Sequence, residues 1–206
     1  MLRLWGRLNS INVQKAMFAL EESGAPFERI DAGMAFGIVG TPDYRAKNPN
    51  GLIPLLEDGD FTLWESNVIV RYVASTYAHG TLYPDNLKQR AEADRWMDWQ
   101  QTTLITALGP AFMQLIRTPA EQRDPAVIAA SAQRTDDLMR IIDHVLATRP
   151  YIAGDTFTMG DIPIAATVNR WLNIPVPRSD CPAIAGYRNR IMARPAAQKA
   201  LILPVT

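Results

Sequence analysis

One cysteine in 206 residues excludes an intramolecular disulfide framework and fits a reducing compartment. That residue, Cys181, stands beside a proline far from any catalytic-looking motif and reads as inert. Histidine is almost as scarce. His79 and His144 are not spaced with cysteines or carboxylates as metal ligands are, so no metal is expected. Neither sign of charge is in excess, because Lys plus Arg and Asp plus Glu each number 21. That balance leaves no electrostatic footprint for nucleic acid or an anionic membrane surface. No apolar run nears the roughly 18 residues that span a bilayer. The stretch MLRLWGRLNSINVQK lacks a basic region followed by an apolar one, so no secretory signal is expected. Internal repeats and low-complexity tracts are missing too. These absences leave a cytoplasmic globular protein, and 48% hydrophobic with 20% charged residues is ordinary for one.

What is present falls into two unlike halves. Residues 2–6 (LRLWG) form a short strand candidate. Ser10 follows as N-cap of a helix with Val13, Ala16, Met17 and Leu20 on one face. Ser23-Gly24-Ala25-Pro26 stops that helix, and residues 27–31 alternate as a strand. Strand, helix, strand in some thirty residues is a βαβ unit with parallel strands. Residues 32–41 are apolar and glycine-rich, a partly mobile loop because so many glycines make a helix expensive. Residues 42–47 supply one or two helical turns.

The stretch the rest is organised around is NPNGLIPLLEDGDFTLWES, residues 48–66. Asn48-Pro49-Asn50-Gly51 is turn chemistry, residues 52–56 are an apolar run with Pro54 inside, and Asp58-Gly59 is a hairpin signal. Pro54 donates no ladder bond. Either the peptide is trans and the strand ends there, or Ile53-Pro54 is cis and the chain turns sharply. In the second case the Ile53 backbone faces outward, free to pair with an extended peptide. Glu65-Ser66 opens a helix with Val68, Ile69, Tyr72 and Val73 on one face. Ser66 and the first helical N–H groups suit a carboxylate, and Glu65 suits an ammonium group. The alternative is that one of the two merely caps its helix.

Beyond the residue 80–87 linker every long element reads as helical. A helix over 88–108 is broken by Gly109-Pro110 and resumes over 111–117. The next starts at Pro125, with Leu138, Ile141, Ile142 and Val145 as its apolar face. Thr158 and Asp161 form a short-armed capping box ahead of a buried helix over 162–172, and a final amphipathic helix runs from 182 to 194. The second half is an all-α bundle. Trp96, Trp99 and Trp171 read as packing aromatics. Glu21-Glu22 and Asp136-Asp137 read as solvated charges.

Residues 48–66 resemble the glutathione-binding core of the soluble glutathione S-transferase family, and the box at Thr158 and the last helices resemble its C-terminal domain. The resemblance covers nearly the whole chain. It implies a thioredoxin-like N-terminal domain (residues 1–80) followed by an all-helical C-terminal bundle (88–206). It further implies that Pro54 is cis, that Ile53 pairs with the cysteinyl part of glutathione, and that Glu65 and Ser66 hold its γ-glutamyl end. Asp161 is then a folding residue. A homodimer is implied as well.

Glutathione transfer needs a thiolate. A thiol near pKa 8.5 brought down by about 2 units asks for roughly 2.7 kcal/mol of preference for the anion. A helix N-terminus gives about 0.3–1 kcal/mol, up to ~2, and a hydrogen bond to a charged group about 1.5–3. In the loop N-S-I-N-V-Q-K, similar to that of bacterial theta-like members, Ser10 and Asn12 compete for that task, with the backbone amides there as a third donor. Arg7 is either a further cation or a solvated loop arginine. No cysteine stands in this loop, which argues against a mixed-disulfide branch. The glycine end of glutathione falls to Asn50 or Lys47. Leu8, Phe36, Met113 and Ile116 are candidates for the wall of a small hydrophobic electrophile site between the halves. The expected activity is conjugation of glutathione to such an electrophile. Glutathione-dependent peroxidase or disulfide reductase activity, and a non-catalytic glutathione-binding module, are the alternatives.

Overall fold

The computed structural model describes residues 1–203 and 205. Its first part is a βαβαββα unit: β1 (Leu2–Trp5), α1 (Ile11–Ser23), β2 (Phe27–Ile30), α2 (Pro42–Lys47), β3 (Leu55–Asp58), β4 (Phe61–Trp64) and α3 (Ser66–Tyr77). The four strands lie in the order β2-β1-β3-β4, with β1 and β2 parallel and the other pairs antiparallel. The parallel pair follows from the α1 crossover, and the antiparallel one from the turn at Gly59 (φ 59°). This is the thioredoxin-like arrangement, and it is followed by an all-helical domain.

That second part holds α4 (Leu87–Trp99), α5 (Ile105–Phe112), α6 (Pro125–Leu146), α7 (Asp161–Leu172), α8 (Pro182–Met192) and α9 (Pro195–Ala200). The expected break at Gly109-Pro110 does not occur: Pro110 lies inside α5. Ser131 of α6 explains the continuity. Its hydroxyl accepts from Ala111 N at 3.0 Å and donates to Ala107 O at 2.5 Å, replacing the ladder contact that the proline disturbs. The irregularities instead fall at Gln100–Leu104 and Met113–Arg117, both π-helical turns. The residues after Arg194 are not a plain tail either, since Pro195 opens α9.

The α1 helix is the axle of the molecule. It packs against α3 in its own domain and against α7 and α9 of the other, so it is buried nearly all round. The one-face reading therefore missed Phe18 and Ala19, both fully buried. On α6 the buried face is Ser131, Thr135, Met139, Ile142 and Leu146, while Ile141 is 48% exposed. Asp136 is not a solvated charge: it is buried, and its carboxylate accepts from Ser179 N and Oγ. Glu22 and Glu21 likewise pair with Arg194 and Lys199, tying α1 to the chain around α9.

The capping box is half built: Thr158 N donates to the Asp161 carboxylate, but Asp161 N donates to the Thr158 carbonyl rather than its hydroxyl, and Gly160 stands at the N-cap of α7. Asp161 is fully buried, and its carboxylate accepts from Ile152 N (2.8 Å), Thr158 N (2.9 Å) and Tyr187 Oη (3.2 Å). Gly160 beside it admits no side chain, since a Cβ would stand 2.8 Å from Ala93 Cα on α4. The linker after α3 is also packed: Leu82 is buried and its carbonyl accepts from Met159 N at 2.9 Å.

Candidate functional site

Two helix N-termini, those of α1 and α3, and one bend meet around a single cavity. The Ile53-Pro54 bond is cis. The apolar run before it does not pair: β3 begins only at Leu55, because Pro54 has no N–H for the ladder. Neither the amide nor the carbonyl of Ile53 hydrogen-bonds to another described residue. The turn ahead of it is fixed from within. Asn48 is buried and donates to Leu52 O at 2.8 Å, while Tyr44 Oη donates to the same carbonyl at 2.7 Å.

At α3 the capping alternative fails for both candidates. Neither Glu65 nor Ser66 makes a side-chain cap bond. Glu65 has φ 72°, a left-handed conformation that costs a residue with a Cβ about 1–3 kcal/mol and gathers at binding sites. Its Oε2 accepts from Gln101 Nε2 of the helical domain at 3.1 Å. The first ladder bond of α3 runs from Ile69 N to Glu65 O, so the N–H groups of Ser66, Asn67 and Val68 precede the ladder.

The Ser10 residue caps α1 with its backbone in extended geometry, and its hydroxyl makes no capping bond. The hydroxyl is therefore not spent on its own helix. Asn12 accepts from Ser66 Oγ at 3.2 Å through Oδ1, which ties the start of α1 to the start of α3 and turns its amide toward other partners.

Asn12, Asn50, Ile53, Pro54, Glu65 and Ser66 line one cavity together with Asn48, Leu52 and Trp64. Ser10 lines the neighbouring cavity, of about 370 Å³, and the consecutive residues Ser10, Ile11 and Asn12 join the two. Ser10, Asn12, Asn50, Ile53, Pro54, Glu65 and Ser66 thus meet in one region. Asn50 also donates to Asn48 Oδ1 at 3.1 Å. Lys47 does not join them, because it is drawn to Glu57 in an ion pair.

Of the four expected wall residues only Met113 lines the larger cavity. Its other walls are Arg7, Asn9, Met34, Phe112, Arg117 and Arg170. Arg7 is half-buried rather than solvated, and burial together with Arg117 pushes its guanidinium down. Arg170 is lowered to about 10, first by burial and then by Arg117 and Arg7. In the sequence Arg170 shows only as the one charged residue of the run IPIAATVNRWL, which does not reveal what it faces. Behind the site, burial lowers Lys15 to about 7, against an upward pull from Glu65. Its Nζ donates to Gln100 Oε1 at 3.4 Å. Cys181 is buried and its thiol is pushed up by burial, which fits an inert residue.

Comparison with known proteins places this geometry. Residues 1–75 match the family model of the glutathione S-transferase N-terminal domain, and residues 102–195 that of the C-terminal domain. The chain is 43% identical to Glutathione S-transferase GstB of Escherichia coli over 208 residues, with both chains covered completely. It is 33% identical to Glutathione S-transferase 3 of Zea mays, covering 96% of this chain and 92% of the other. Among solved structures it matches the theta class glutathione S-transferase of Xanthomonas axonopodis pv. citri with glutathione bound. The TM-score there is 0.96 at 42% identity, over 100% and 99% of the two chains.

Proposed function

The chain belongs to the glutathione S-transferase family, and from that premise we propose that it holds glutathione as a thiolate at the start of α1 and transfers it to a small hydrophobic electrophile. The observation that carries this reading is the Ser66–Asn12 bond, which holds two helix N-termini beside the cis Ile53-Pro54 bend. Residues 1–80 bind glutathione in this scheme, and 88–206 complete the electrophile site.

Each part of the tripeptide meets matching chemistry. The γ-glutamyl carboxylate lies at the N–H groups opening α3, where the helix dipole favours an anion. On binding it accepts the one hydrogen bond of the Ser66 hydroxyl in place of Asn12 Oδ1. Its ammonium pairs with Glu65, whose carboxylate Gln101 steadies. The cysteinyl backbone pairs with the unpartnered Ile53, and Asn50 lies toward the glycine end.

The thiol then stands over the start of α1. The helix end and one hydrogen bond from Ser10 or Asn12 together supply about 2–4 kcal/mol, enough for the roughly 2.7 kcal/mol that the thiolate needs. The sulfur attacks the electrophile, a bond from sulfur to carbon forms, and the leaving group departs with its electron pair. The apolar walls Ile11, Met34, Phe112 and Met113 hold the electrophile body. A cytoplasmic homodimer completes the proposal.

Steady-state kinetics with a nitroaryl chloride test it. Ser10→Ala or Asn12→Ala lowers kcat/KM by roughly 10- to 100-fold, the loss of one hydrogen bond to an anion. If neither variant alters turnover while glutathione still binds, the assigned chemistry fails.

A further inference from the structure

Three arginines distant in sequence, Arg7, Arg117 and Arg170, line the cavity beside Ser10. We propose that this cavity selects electrophiles bearing a carboxylate or an equivalent oxyanion, which the arginines bind while Phe112, Met113 and Met34 hold the apolar part. The proposal rests on the transferase reading above and names the substrate class of that same site.

What sets the three arginines apart is their convergence on one cavity. Lacking a carboxylate does not set Arg7 and Arg170 apart, since Arg45, Arg90, Arg123, Arg178, Arg188 and Arg190 also pair with none among the described residues. Arg3, Arg29, Arg71, Arg95, Arg140, Arg149 and Arg194 each pair with a carboxylate. Among the described residues no carboxylate pairs with Arg7 or Arg170. Formal charge over the whole chain is zero, so the cluster does not reflect a basic protein.

Burial sharpens the point. Arg170 is only 7% exposed, and its Nε has no partner; the buried Nε of Arg7 has none either. A guanidinium out of water without a counter-ion is costly, and like charges nearby add to the cost. Arg170 does have structural contacts: Nη2 donates to Asn9 O at 3.2 Å, and the group lies 4.2 Å from the Phe112 ring centroid. These use one of five N–H donors and one face, which leaves donors for a bidentate carboxylate.

The same cations also favour the glutathione thiolate, so the thiolate is the competing explanation. It predicts no preference between electrophiles that differ only in charge.

The test compares 4-chloro-3-nitrobenzoate with 4-chloro-3-nitrobenzamide, each rate divided by its uncatalysed rate with glutathione. In both, the thiolate bonds to the carbon bearing chlorine and chloride leaves with the bonding pair. A parallel calorimetric titration compares S-(carboxymethyl)glutathione with its amide, and needs no turnover. The carboxylate is expected to be favoured about tenfold or more in at least one pair, with the preference shrinking as salt rises. Arg7→Gln and Arg117→Gln each reduce that preference severalfold, and Arg170→Met abolishes it if the variant folds. Equal handling of acid and amide in both pairs overturns the proposal. Absence of turnover with tighter binding of the carboxymethyl conjugate sinks the transferase reading but supports the anion site.

Discussion

Ser10 and Asn12 stand two residues apart yet have different freedoms. The Ser10 hydroxyl is unspent, whereas Asn12 is anchored by Ser66. Ser66→Ala should therefore act through Asn12 as well as on glutathione directly, weakening glutathione binding by roughly tenfold in a calorimetric titration. Both residues were legible in the sequence because a hydroxyl and an amide at a helix start are local facts. Arg170 was not, since its partners come from three separate segments. Lys15 was invisible for a similar reason: only the packing of α1 against a second domain buries it. Its folded value of about 7 lies below the ordinary 10.5. Below pH 7 both folded and unfolded chains carry the proton, and the cost of the buried ammonium is felt in full. From about 7 to 10.5 only the unfolded chain keeps it, so this group's contribution to stability rises with pH. Lys15→Met should raise the Tm at pH 7 and flatten that rise, as read by thermal unfolding at a series of pH values.

Among the elements, α5 and α7 mark what local signals can and cannot give. Thr158 and Asp161 announce the start of α7 within four residues, and the structure makes the bond from Thr158 N to the Asp161 carboxylate but not the reciprocal one from Asp161 N to the Thr158 hydroxyl. Asp161→Ala leaves two buried backbone N–H groups without acceptors and should cost on the order of 3 kcal/mol. Urea unfolding would measure that loss, with the glutathione affinity of the folded protein unchanged. The proline in α5 misled because the hydroxyl that accommodates it comes from α6, twenty residues away. Ser131→Ala should accordingly destabilise by about 1–3 kcal/mol, more than a surface serine would. The buried face of α6 was misplaced for the same kind of reason. Polar Ser131 and Thr135 face inward where they meet partners, while Ile141 faces out.

For the whole molecule, the chain order of the elements and the two unlike halves followed from the period of the hydrophobic pattern, while the thioredoxin-like arrangement of the strands came only with the family resemblance. The mutual placement of the halves followed from neither, since it depends on α1 being buried from both sides and on ties such as Glu22 to Arg194. Gln101 is the tie that matters to the site, reaching from the helical part to Glu65. Gln101→Ala should loosen glutathione several-fold without shifting the Tm, because the bond is exposed. Light scattering should give the mass of a dimer of 22.9 kDa chains.

The central claim is that this fold makes glutathione ionise more readily than it does in water. Ultraviolet titration of the thiolate on the glutathione complex, from pH 5 to 10, measures that directly. The account predicts a midpoint near 6.5, about 2 units below the free thiol, moving back toward 8.5 in the Ser10→Ala, Asn12→Ala double variant. A bound thiol that titrates at about 8.5 in the unaltered protein would contradict it.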